Sequence, residues 1–81
     1  MLVIPQNQTN AHTMINGKTL QRLRMQKGLK QKEAAKKLGI SQAGYSRLEQ
    51  SVWLQGTQLH FILKGLDCTI TDVEKAMAIL N

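Results

Sequence analysis

The chain is 81 residues long, room for one small core and no second domain. Its net charge of +6 suits either a polyanionic partner or a merely solvated basic face, and its single cysteine excludes an intrachain disulfide. No apolar run approaches the roughly 20 residues of a membrane span, which makes the cytoplasm, with the nucleoid, the expected compartment.

Residues 1–16 read as an N-terminal arm without Lys, Arg, Asp or Glu. Leu2-Val3-Ile4 is followed at once by Pro5 and lacks a basic flank, so it does not read as a secretion signal. The Gln, Asn and Thr from Gln6 to Thr13 have the composition of a flexible segment. The other reading makes Leu2–Ile4 an edge strand paired with a second copy.

Asn16-Gly17-Lys18-Thr19 has the look of the end of a phosphate-binding loop, but the earlier glycine that motif needs is His12. The better reading is a helix start. A first helix over about 18–27 turns Leu20 and Leu23 inward and Lys18, Arg22 and Lys27 outward. Gly28 closes it, and Leu29 fills the junction with the next helix.

Gln31, Ala34, Ala35 and Leu38 fall at i, i+3, i+4, i+7, the period of a second helix. Gly39 supplies a left-handed terminator, Ile40 bridges the turn, and Ser41 offers an N-cap hydroxyl. The third helix, 41–50, buries Tyr45, Leu48 and Val52 and exposes Gln42, Ala43, Ser46 and Arg47. Two short helices joined by a four-residue turn containing Gly form the pattern of a DNA-binding helix-turn-helix. The charge agrees: residues 17–50 hold nine Lys and Arg against two Glu, a net +7, whereas 51–81 net −1.

Leu59, Ile62, Leu63 and Leu66 mark a fourth helix, and Val73, Ala76, Met77 and Leu80 a fifth. Thr71-Asp72-Val73-Glu74 reads as the capping box of the fifth. The expectation is an all-α, compact bundle of five helices over 17–81, with no sheet in that span. Trp53, Phe61 and Ile79 lie off the apolar stripes and are expected at a dimer interface.

Gly28-Leu29-Lys30-Gln31, Ala35, Leu38-Gly39-Ile40-Ser41 and Ser46-Arg47-Leu48-Glu49 resemble the Cro and lambda-repressor-like, or XRE-type, helix-turn-helix family. The likeness runs from about Leu20 to Leu66 and is strongest from Gly28 to Ser51. It implies four base-reading positions on the third helix: Gln42, Ala43, Ser46 and Arg47. It implies a phosphate contact at Gln31 and an ion pair between Arg24 and Glu49. The chain departs from the family pattern at Lys30, where Ser or Thr is usual, at Gly44 and Tyr45, and in lacking Pro-Ser before the fourth helix.

The chemistry of these side chains suits such roles. Gln can pair bidentately with adenine and Arg with guanine in the major groove, and an Ala methyl can meet thymine. Lys30, Gln31, Lys32, Gly44, Tyr45 and Gln50 are the expected phosphate contacts, with the amides of the second helix's N-terminus beside them. Catalysis finds no constellation: His12, His60 and Cys68 are too few and too separated for a zinc spacing. No enzyme activity, metal or cofactor is expected.

The leading expectation is a homodimeric, sequence-specific transcription regulator of double-stranded DNA, an (auto)repressor on a palindromic operator. The alternative is an antitoxin whose main partner is a toxin protein, with DNA binding as autoregulation; the short tail argues mildly against it. An interaction adaptor that has lost DNA binding conflicts with the +7 segment, and RNA binding with the scarcity of stacking aromatics.

Overall fold

The computed structural model describes residues 14–79. In chain order these form β1 (Met14–Ile15), α1 (Gly17–Gln26), α2 (Gln31–Leu38), α3 (Gln42–Glu49), β2 (Leu54–Gln55), α4 (Gly56–Gly65) and α5 (Ile70–Ile79). The five expected helices are present, but a sheet intrudes where none was expected. β1 and β2 pair antiparallel, Met14 against Gln55 and Ile15 against Leu54. Two residues are too short a run to show alternation in the sequence. The pairing is fixed by burial instead, since Ile15 and Leu54 are both enclosed in the core.

Several helix boundaries have a local cause. Asn16 caps α1, its side-chain oxygen accepting from the Thr19 N–H at 2.8 Å and from the Thr19 hydroxyl at 3.0 Å. α2 begins at Lys30 without a side-chain acceptor; Glu33 reaches back to accept the Lys30 N–H at 2.8 Å. Gly39, at φ +71°, ends α2, and Ile40 donates to the Ala35 carbonyl at 3.0 Å. α5 opens two residues earlier than its expected box. Thr69 and Asp72 cap it reciprocally, Thr69 N–H to Asp72 Oδ2 at 2.9 Å and Asp72 N–H to Thr69 Oγ1 at 3.2 Å.

The core gathers one face from every element: Ile15, Leu20, Leu23, Ala34, Ala35, Leu38, Tyr45, Leu54, Leu59, Ile62, Leu66, Val73 and Ala76. Leu29, Ile40, Leu48 and Leu63 pack at its rim. Val52, expected inside, is 72% exposed. α3 stops at Glu49, so the helical period that would have turned Val52 inward has already ended.

α1 meets α3 at close range. The Gly17 N–H donates to the Ser51 carbonyl at 2.9 Å, and a Cβ on Gly17 would stand 2.0 Å from the Glu49 carbonyl oxygen. Gly17 is therefore glycine for packing. Its absent side chain lets the start of α1 lie against the backbone at the end of α3.

Candidate nucleic-acid interface

The third helix is held at both ends. At its start Ser41 Oγ accepts the Gly44 N–H at 3.0 Å. At its end Glu49 is gripped from two other helices: Arg24 Nε donates to Oε2 at 2.6 Å and Gln31 Nε2 to Oε1 at 2.9 Å. Arg24 also donates through Nη1 to the Leu29 carbonyl at 2.7 Å. One guanidinium thus ties α1 to the α1–α2 junction and to α3. The Arg24 and Glu49 side chains are only 11% and 6% exposed. The hydrogen bond to Glu49 holds the Arg24 guanidinium still further above its ordinary range, against the opposing pull of burial.

Between those anchors α3 presents one open face. Gln42, Ala43 and Arg47 are exposed and Ser46 is half-buried. At i, i+1, i+4 and i+5 these four share one side of the helix, opposite the fully buried Tyr45. Lys30 and Lys32, at the start of α2, are exposed. Gln50 is exposed just past its end, its amide 3.4 Å from Ser46 Oγ.

Three of the expected phosphate contacts have other occupations. Tyr45 is 0% exposed and its hydroxyl is buried without a hydrogen-bond partner among the described residues. It cannot touch a phosphate, which corrects that expectation: the ring, hydroxyl included, is enclosed in the core formed by the surrounding elements. Burial pushes the Tyr45 phenol far above its ordinary range. The Gly44 N–H already serves the Ser41 cap, and a Cβ there would sit 3.1 Å from Ser41 Oγ, so the glycine keeps that cap uncrowded. Gln31 remains half-buried at the surface, but its amide is oriented by Glu49.

Trp53 and Phe61, expected at a dimer interface, are 58% and 48% exposed. The Ile79 side chain and most of the N-terminal arm lie outside the described residues. Among the described residues no cluster of His, Cys, Asp or Glu could hold a metal ion, and no helix is long and apolar enough to cross a membrane.

Sequence reasoning missed one feature of the site. A groove of about 270 Å³ runs beside α3, lined by Lys18, Gln21, Gln31, Ser46, Glu49 and Gln50. Lys18 read only as an outward residue of the first helix, and Gln21 drew no notice. Nothing in the spacing of either shows that α1 lies against the end of α3; that proximity follows from Gly17.

The comparisons with known proteins agree with this geometry. The family model described as "Helix-turn-helix" matches residues 20–73. No curated protein and no solved structure matches the chain. The match spans α2, the turn and α3 together with the helices that brace them. The chain belongs to the XRE-type helix-turn-helix family and carries its DNA-binding, transcription-regulating domain.

Proposed function

We propose that the chain is a homodimeric repressor that reads a palindromic operator by laying α3 in the major groove. The observation that carries the reading is the open face of α3. Its four outward positions hold two side chains able to pair with base edges, Gln42 and Arg47, and two small ones, Ala43 and Ser46, that let the helix approach closely. Lys30 and Lys32 at the start of α2 and Gln50 just past α3 would position this face on phosphate, with Gln31 adding its remaining amide proton. The cap at Ser41 and the grip on Glu49 hold the helix before DNA arrives, so little ordering remains to be done on binding.

Selection of bound duplexes from a random pool tests the reading. A two-fold symmetric site with half-sites about one helical turn apart is the expected result. Sequence-indifferent capture would remove the operator-specific role. Arg47→Ala separates reading from folding. It should weaken binding to the selected site by about 1–3 kcal/mol and relax its specificity at one position while the helical circular dichroism stays unchanged. Unaltered affinity would remove Arg47 from the reading face.

A further inference from the structure

The groove between α1 and the end of α3 adjoins the base-reading face at Ser46, and the rest of its lining is suited to an anion. Lys18 supplies a cation from α1, and Gln21, Gln31 and Gln50 supply side-chain amides from three separate segments. The one acid in the lining, Glu49, does not oppose an anion. Both its oxygens are already taken, by Arg24 at 2.6 Å and Gln31 at 2.9 Å, and Arg24 balances its charge. The same contact fixes the Gln31 amide. A carboxylate accepts only, so Gln31 turns its NH2 group toward Glu49, and a second N–H is left to donate. Ser46, on the reading face of α3, also lines the groove, so an occupant would lie directly beside the helix that reads bases.

We infer that this groove seats a DNA backbone phosphate and that Lys18 and Gln21 of α1 are its outer clamp. The inference rests on the proposal that α3 enters the major groove, and it extends the interface from the two-helix motif onto the first helix. A phosphodiester there would receive one charge contact from Lys18 and neutral amide bonds from Gln21, Gln31 and Gln50. The placement explains why Gln21 and Lys18 sit on the turn of α1 that Gly17 brings against α3.

The salt dependence of binding tests it, because a charge contact to phosphate displaces a counterion and a neutral contact does not. The probe is a mixed-sequence duplex of about 30 base pairs, titrated from about 50 to 200 mM salt. Lys18→Ala should lower the log–log slope by about 0.9. Its affinity deficit should shrink roughly threefold to fourfold across that range. Gln21→Lys should raise the slope by about the same amount. Lys75→Ala on α5 removes the same charge far along the chain and should leave the slope as in the wild type. A Lys18→Ala slope equal to that of the wild type, or equal losses from Lys18→Ala and Lys75→Ala, would overturn the clamp while the reading role of α3 stands. Failure of the wild-type chain to bind any duplex would overturn both. Lys18 is exposed, and unchanged circular dichroism confirms that each variant is folded.

Discussion

Two residues carry more of this domain than their size suggests. Glu49 is almost wholly buried and is reached by Arg24 and Gln31 at once. Arg24→Ala would leave its carboxylate without a counter-charge, so it should cost about 3–5 kcal/mol in urea denaturation, a large share of what so small a domain has. Replacing both partners by apolar residues of similar volume should recover much of that loss. A single-variant loss below about 1 kcal/mol would show the pair to be solvated and dispensable. Gly17 and Gly39 make a second contrast. Gly39→Ala meets no atom within 4 Å and suffers only from its φ of +71°, a cost of about 1–2 kcal/mol. Gly17→Ala would drive a Cβ into the Glu49 carbonyl, at 2.0 Å, where only backbone can move. Gly17→Ala should therefore melt well below Gly39→Ala, and the reverse order would show that the α1–α3 contact can open.

At the scale of elements, the apolar period shows where helices lie, and side-chain contacts decide how they are held. Leu20 and Leu23, Ala34 and Leu38, Leu59 and Ile62, and Val73 and Ala76 all recur at helical spacing and all are buried, so four of the five helices were readable from period, and the third from the turn and cap before it. The Ile15–Leu54 pairing was not, because a two-residue ladder has no period and depends on a distant partner. Tyr45 was placed correctly inside, but spacing along one helix does not say how deep a long side chain ends. Arg24 with Glu49 was legible only through family likeness, and the Gln31 bond that shares Glu49 was not legible at all. The cap of α5 shows the same division. An acid near the helix start was readable, whereas the register that pairs Thr69 with Asp72 was set by where α5 begins. The Thr69 N–H holds the Asp72 carboxyl below its ordinary range, with Lys27 Nζ 3.5 Å away adding to it. A depressed folded-state pKa stabilises above the unfolded value, near pH 4, and the benefit disappears as pH falls through the folded value. Asp72→Asn should thus melt earlier than wild type at neutral pH, and the gap should close with acidification below about pH 4. A gap that stays constant with pH would assign the effect to the shape of the cap alone.

Over the whole molecule, charge and most of the apolar exposure are separated along the chain. The net +7 of residues 17–50 falls on the segment that holds the helix-turn-helix, where Met25 is exposed, while residues 51–81 net −1 and expose Val52, Trp53, Phe61 and Met77. Two copies would repel through the first part and not through the second. A chain of this size buries only about 60% of its unfolded surface, so large apolar groups left outside favour a second copy as their cover. If Trp53 and Phe61 form that contact, Trp53→Ser and Phe61→Ser should each shift sedimentation from dimer to monomer. Both side chains are about half exposed in the single chain, so the monomer's own fold should lose far less than it would from a buried aromatic. Operator binding should suffer most, because one half-site then has to be held without the other and the effective concentration of the second reading helix is gone. Binding to a half-site duplex should be nearly unchanged. That pattern, loss on the full palindrome and none on the half-site, distinguishes a broken dimer from a damaged reading face; equal losses on both would place Trp53 and Phe61 on the DNA side.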